Sequence, residues 1–203
     1  KNDGIIKVNV ELLNKINGIG EIIAATKYNN TFVKKGEIIA ATRIIPLRIE
    51  KKQLENLKKL VENENVMSVK EINADLKVGI ITTGSEIFYG RVKDRSREVL
   101  EEKLRNYGIH NIEQVFVPDE KEKIKDSIME FEKKADIIMC TGGMSIDPDD
   151  ITPSAIRECG GELIAYGTPV LPGSMFLLAY KKGKVLMGIP GGVIFSPKTV
   201  FDL

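Results

Sequence analysis

The chain has little histidine, little cysteine and no tryptophan, and each shortage removes a class of function. His110 is the one histidine among 203 residues, so a zinc site built from several histidines of one chain is excluded. A Ser-His or Cys-His nucleophilic device would have to use His110. That residue lies in the polar stretch Gly108-Ile-His-Asn-Ile112 with no nucleophile beside it, and reads as a surface side chain. The two cysteines, Cys140 and Cys159, give neither a disulfide framework nor metal-ligand spacing, which fits a cytoplasmic protein. With 6% aromatics and no tryptophan there is no base-stacking platform. An excess of one charge is missing too: 30 basic residues face 29 acidic ones, for a net +1. A protein that coats nucleic acid or binds an anionic membrane electrostatically carries a basic excess, so neither partner is expected. One run of 18 residues, Leu163 to Tyr180, has no charge. It contains Gly167, Pro169, Pro172 and Gly173, which break a spanning helix, and it reads as strands and a turn.

What is present is ordinary for a soluble globular chain: 42% apolar and 29% charged residues, in a length that suits one or two domains. At this size roughly 70% of the unfolded surface can be buried. Nothing near the first residue reads as a signal peptide. The chain opens on Lys1-Asn-Asp3 and stops at Phe201-Asp-Leu203, in what reads as the start of a helix. A longer parent protein is therefore expected, with the second domain truncated at its C-terminus.

Texture divides the chain at about residue 75. The first part contains a repeat, Gly20-Glu-Ile-Ile-Ala-Ala-Thr26, which recurs letter for letter as Gly36-Glu-Ile-Ile-Ala-Ala-Thr42. Each copy is short, β-branched and introduced by glycine, as a strand after a turn should be. Two related strand–turn units are expected. Lys51 to Glu62 reads as a helix with Leu54, Leu57, Leu60 and Val61 on one face, and Val66 to Ile72 as a strand. Residues 1–75 thus predict a small β-rich accessory domain with one helix. It carries no recognisable chemistry and suits a scaffold or a surface for a partner protein.

Residues 76–203 alternate strand and helix: strands at 77–82, 112–117 and 136–141, helices at 94–107, 119–134 and 152–159, and a hairpin over 176–189 turning at Lys181-Lys-Gly-Lys184. That order predicts an α/β fold with a mainly parallel sheet covered on both faces. In such sheets ligands bind beyond the carboxyl ends of the strands. The loops there are Thr83-Gly-Ser-Glu86 running on to Asp94, Val117-Pro-Asp119, and Thr141-Gly-Gly-Met-Ser145 running on to Asp150; Gly188-Ile-Pro-Gly-Gly192 follows the hairpin. Each joins glycines or hydroxyls to a carboxylate. Glycine lets backbone N–H groups approach an anion, and carboxylates beside a phosphate make sense when Mg²⁺ lies between them. The combination predicts a phosphorylated, metal-assisted ligand. Plain capping competes. Asp119 is followed three residues later by Glu122, a capping-box pattern, and Asp94 is similarly ambiguous. Thr152 is the better cap before Pro153, which leaves Asp150 free. The chain has neither a P-loop nor a dinucleotide fingerprint.

Taken in order, these loops resemble the molybdopterin-binding domain shared by the MogA and MoeA types of molybdenum-cofactor biosynthesis protein. The matching pieces are Thr83-Gly-Ser-Glu86, Gly90 with Asp94-Arg-Ser96, Val117-Pro-Asp119, Asp136-Ile-Ile-Met-Cys-Thr-Gly-Gly143, Ser145, Asp150-Ile-Thr-Pro153, Pro172-Gly173 and Ile189-Pro-Gly191. They span residues 76–203. The resemblance implies a three-layer α/β/α domain that binds molybdopterin, a small-molecule pterin ligand, with Mg²⁺ and ATP in the adenylylating type or molybdate insertion in the other. It implies a homo-oligomer. It gives Asp119 and Asp150 the catalytic, Mg²⁺-holding role. It gives pterin binding to Thr83, Gly84, Ser85, Glu86, Asp94, Thr141, Gly142, Gly143, Met144, Ser145, Pro172, Gly173, Ser174, Pro190 and Gly191. Two departures stand out. Pro172-Gly-Ser-Met175 replaces a frequent Pro-Gly-Lys-Pro, and Pro190-Gly-Gly-Val193 replaces a frequent Pro-Gly-Asn/Ser-Pro. The first loses a lysine that would face phosphate. A non-catalytic binder that stores, senses or delivers the pterin, and a CinA-like nucleotide-processing protein, are the competing readings.

Overall fold

The computed structural model describes residues 2–145, 147 and 150–202. The chain separates into two compact units, Lys1–Ile72 and Asn73–Leu203.

The first unit begins with β1 (Gly4–Val8), whose alternation puts Ile6 and Val8 inside and Lys7 in water. It is the middle strand of a three-stranded antiparallel sheet, between β3 (Phe32–Val33) and β5 (Met67–Lys70). Helix α1 (Val10–Asn17) starts where the Asn9 side chain accepts from the Leu12 N–H at 3.0 Å, and it buries Leu12 and Ile16, one turn apart. The unit therefore has two helices, α1 and α2 (Lys51–Val61), where one was expected. Asn9 before an i, i+4 apolar pair was a legible start signal for the other.

The two identical heptapeptides pair with each other. Strand β2 (Ile22–Thr26) runs antiparallel to β4 (Ala40–Ile44) in a two-stranded sheet. Ala24 faces Thr42, Ala25 faces Ala41 and Thr26 faces Ala40, so the copies meet about a local two-fold between Ala25 and Ala41. Both lead-in glycines have positive φ, 91° at Gly20 and 85° at Gly36. The likeness ends there. Ile22 is 4% exposed and packs on α1, whereas its counterpart Ile38 is 81% exposed and precedes its strand. Identical words do not make two equivalent strand–turn units, because the register extends β2 backward and β4 forward.

The second unit is an α/β fold around a six-stranded, mostly parallel sheet. Its elements are β6 (Lys77–Thr83), α3 (Ser85–Phe88), α4 (Ser96–Arg105), β7 (Asn111–Val117), α5 (Lys121–Glu132), β8 (Ile137–Thr141), α6 (Thr152–Glu158), β9 (Glu162–Tyr166), β10 (Leu177–Lys181), β11 (Lys184–Ile189), α7 (Gly191–Phe195) and a 3₁₀ turn at Val200–Asp202. The order is β7-β6-β8-β11-β10-β9; the first four strands are parallel, and β10 runs antiparallel to both its neighbours, β11 and β9. β6 is buried from Val78 to Thr83 without a break, as a strand covered on both faces must be. Gly79 lets α5 sit close: a Cβ there would lie 2.4 Å from the Phe131 ring. Helices α5 and α6 pack together on the face of Ile81 and Thr83, and α4 and α7 on the face of Thr82. The β10–β11 hairpin turns at Lys182 and Gly183, with φ of 48° and 77° as a type I′ turn requires. Val117, Thr83, Thr141 and Ile189 end four neighbouring strands within one residue of register, Val117 opposite Thr83 and Thr141 opposite Thr82 and Ile189, so their loops leave from one edge. Among the described residues no helix is long and apolar enough to cross a membrane.

Candidate functional site

Three buried threonines close the strand ends: Thr82, Thr83 and Thr141. Thr82 Oγ1 lies 3.2 Å from Ser96 Oγ and accepts from Gln114 Nε2 at 2.7 Å. Gln114 also donates to Asp94 at 2.7 Å, and Asp94 accepts from the Ser96 N–H at 2.9 Å, its hydroxyl at 2.6 Å and the Arg97 N–H at 3.3 Å. Partial burial pushes the Asp94 carboxyl up, but these bonds together outweigh it and hold it below its ordinary value. Asp94 thus fastens the start of α4 to β7.

On the other face, Thr83 Oγ1 lies 3.5 Å from Thr152 Oγ1, and the Thr152 hydroxyl donates to the Gly142 carbonyl at 2.8 Å. Gly142 has φ of 93°, and a Cβ there would lie 2.2 Å from the Thr83 carbonyl oxygen; this position admits only glycine. The loop then turns through Gly143, φ 53°, to Ser145, whose N–H donates to Asp150 at 2.5 Å and whose hydroxyl donates to Asp147 at 3.0 Å. Among the described residues the N–H groups of Gly143 and Met144 have no hydrogen-bond partner. Consecutive free donors in a glycine-rich turn are an anion cradle.

Two chambers open along this edge. The larger, about 710 Å³, is lined by Thr82, Thr83, Asp94, Thr141 and the Gly142–Ser145 turn, with Asp150 and Gly191. Ile87, Val92, Ile194 and Phe195 add an apolar rim, and Lys93 and Arg95 add positive charge. The smaller, about 410 Å³, is lined by Thr83, Gly84, Gly143 and Ile151 with three carboxylates, Asp119, Asp147 and Asp150. Thr83, Gly143 and Asp150 line both. The larger chamber sets two basic side chains against the carboxylates of Asp94 and Asp150 beneath an apolar rim, the smaller holds three carboxylates and no basic residue, and Asp150 stands on the boundary.

Two capping readings and the expectation of a free Asp150 are corrected. Helix α5 is capped at Glu120 without a side-chain bond; the Asp119 carboxylate instead accepts from the Ser85 N–H across the sheet edge at 2.9 Å. Thr152 is not the cap of α6, since Ile151 holds that position and the Thr152 hydroxyl points to Gly142. Asp150 is not free but ties Ser145 down. Asp119 finds its partner on a neighbouring strand's loop, whereas Thr152 and Asp150 bond back within their own loop between β8 and α6. Of the other expected binding residues, Ser85 contributes its N–H to Asp119, and Glu86, Pro172, Gly173, Ser174 and Pro190 line neither chamber. Pro172 and Gly173 pack beside Gly192 in α7. Lys93, Arg95 and Asp147 were missed. The basic residues flanking Asp94 were the available signal, read there as part of a motif rather than as charge. Cys140 is buried and its thiol is pushed far up by desolvation, which removes it as a nucleophile.

The donor set bears on a divalent ion. Among the described residues no group of three or more His, Cys, Asp or Glu side chains could hold a metal by itself. Mg²⁺ is commonly bound by one or two carboxylates plus substrate phosphates, and Asp119 and Asp150 in one chamber supply those two. The residues fit an ion that arrives with a phosphate ligand.

Residues 79–202 match the family described as "Probable molybdopterin binding domain". The molybdenum cofactor synthesis protein cinnamon of Drosophila melanogaster is 26% identical over 125 residues, 58% of this chain and 21% of that protein. A Methanocaldococcus jannaschii protein named for molybdopterin biosynthesis is 29% identical over 172 residues, 79% of this chain and 39% of that protein. The chain thus spans between a fifth and two fifths of the length of these relatives. The crystal structure of CinA from Thermoplasma acidophilum, a protein of unknown function, superposes with a TM-score of 0.50 at 20% identity. It covers 59% of this chain and 90% of that one, a likeness of fold alone.

Proposed function

The chain belongs to the probable molybdopterin binding domain family, and on that premise we propose that its second unit binds molybdopterin and activates it by Mg-ATP-dependent adenylylation. The observation that carries the reading is the two-sided site. A cradle of free N–H groups at Gly143 and Met144 with Lys93 and Arg95 nearby suits an anionic pterin, while Asp119, Asp147 and Asp150 suit a nucleotide that brings its own cation. Asp150 borders both, where two phosphates would meet. In the reaction a terminal phosphate oxygen of molybdopterin attacks the α-phosphorus of ATP. A new P–O bond forms, the bond to the bridging oxygen of the β-phosphate breaks, and pyrophosphate leaves with the electron pair. Mg²⁺, when present, supplies charge neutralisation on the transferring phosphoryl group. Asp119 and Asp150 would hold it. The hydrogen bonds from Ser85 and Ser145 keep both carboxylates oriented before substrate arrives.

Asp150→Asn should abolish pyrophosphate release from ATP and molybdopterin while leaving pterin binding measurable by calorimetry; full turnover in that variant would end the assignment. A second reading is favoured by the alignment to the M. jannaschii protein, which covers 79% of this chain, more than the second unit alone contains. It is that the same site accepts the adenylylated pterin for molybdate insertion, with the first unit as part of that larger machine or as a dock for a partner. Calorimetry with molybdopterin, its adenylylated form and Mg-ATP separates the two. It also separates a non-catalytic binder, which would bind tightly without turnover, and a CinA-like nucleotide hydrolase, which would ignore the pterin. Work in the cytoplasm as a homo-oligomer belongs to the same proposal, and light scattering checks the assembly.

A further inference from the structure

Phe195, the last residue of α7, is 77% exposed yet lines the larger chamber. A ring left mostly in water adds little to folding, since its apolar area is not removed from solvent. Ile87, Val92 and Ile194 line the same chamber. So does Arg95, for which the described residues offer no ion pair, in contrast to Lys93, which reaches Glu98 at 3.5 Å. Asp94 between them is spent on Ser96, Arg97 and Gln114. The chamber therefore offers an open π face, an apolar rim and an uncommitted guanidinium.

We infer that Phe195 stacks on a planar heterocycle of the ligand while Arg95 meets its anionic group, and that these two residues set the specificity of the larger chamber. The inference rests on the proposed function and deepens it. An aliphatic ligand would satisfy the rim and leave Arg95 unpaired. A bare anion would satisfy Arg95 and leave Phe195 in water. A flat, polarised ring carrying a phosphate uses both. Pterin and adenine both answer that description, and the experiment tells them apart.

The full chain is titrated by calorimetry with molybdopterin, with AMP and with inorganic pyrophosphate. Phe195→Ala should weaken one ring-bearing probe roughly tenfold and leave pyrophosphate unchanged. Molybdopterin as the affected probe identifies the pterin ring, AMP the adenine. Phe195→Leu keeps the apolar bulk without the π face and should bind as weakly as the alanine variant, while Phe195→Trp restores binding. Arg95→Ala should weaken every probe that binds roughly tenfold. The inference is overturned if Phe195→Leu binds like wild type, or if Phe195→Ala also loses pyrophosphate. It fails alone if wild type binds molybdopterin and neither Phe195 variant matters. If wild type binds none of the three probes, the proposed function falls with it.

Discussion

Isoleucine has two fates in this chain. In the second unit Ile80 and Ile81 are wholly buried on opposite faces of one strand, because helices cover both sides of the sheet. In the first unit Ile22 is buried and Ile38, in an identical heptapeptide, stands in water. The first unit distributes its apolar residues over small clusters between short antiparallel sheets and two helices. The second gathers a large core on the Ile81 face of its sheet, buries Ile80 and Leu100 besides, and ends its strands on one edge. Side chains held to within a fraction of an ångström need such an edge, and the hydroxyls, glycines and carboxylates described above gather on it.

The sharpest way to break that comparison is to move chemistry out of the second unit. Asp150→Asn should cut pyrophosphate release by about 100-fold or more, the usual cost of losing one preorganised electrostatic contact at a reacting phosphate or carbonyl. Ile38→Ala, in the first unit, should leave it unchanged. A steady-state pyrophosphate assay on both variants decides; a comparable loss from Ile38→Ala would mean the first unit shares the chemistry.

Next in size is Gly142→Ala. The φ of 93° and a Cβ 2.2 Å from the Thr83 carbonyl force the loop away from the strand. A stability loss of about 3 kcal/mol is expected, from strain and broken packing together. Urea unfolding measures it, and a loss under about 1 kcal/mol would show that the loop is not held as described.

The first unit gives a matched pair. Ile22→Ala removes a buried side chain and should cost about 3 kcal/mol. Ile38→Ala should fall within about 0.5 kcal/mol of wild type. Equal costs would show that the repeat makes equivalent units after all.

Much of the second unit was legible because it is built from long, strongly periodic segments. The strand from Lys77, the helix with Ile124, Ile128 and Phe131 inward and the Lys182-Gly183 turn follow from local pattern alone. The site was legible only as composition. Asp119 and Thr152 each sit where capping is the cheap explanation, and each bonds to a backbone group that local pattern does not show: Ser85 is 34 residues from Asp119, and Gly142 ten from Thr152. Phe195 was unreadable, because an aromatic at the end of an apolar run looks like core until its exposure is known. In the first unit the repeat misled, because pairing register, not wording, sets which isoleucine is buried.

The smallest expected effect compares one ion-paired glutamate from each unit. Glu132 ends α5 and takes Lys181 and Lys182 of the β10–β11 turn, each at 2.6 Å. Their hydrogen bonds, Lys181 first, pull its carboxyl from an ordinary 4.5 to about 2. Glu37 is lowered by Lys27 and then by the Lys34 N–H. A carboxyl lowered in the folded state adds stability above its unfolded pKa and loses it as pH falls through the folded one. The Tm gap between wild type and Glu132→Gln should therefore be full above about pH 4.5 and close towards pH 2. For Glu37→Gln, where one lysine replaces two, the gap should be smaller and should also close on acidification. Thermal unfolding across that range reads both. A Glu132→Gln gap that persists at pH 2 would mean the variant disturbs packing between α5 and the hairpin rather than charge. Equal gaps for the two variants would mean that two lysines fasten the second unit no better than one fastens the first.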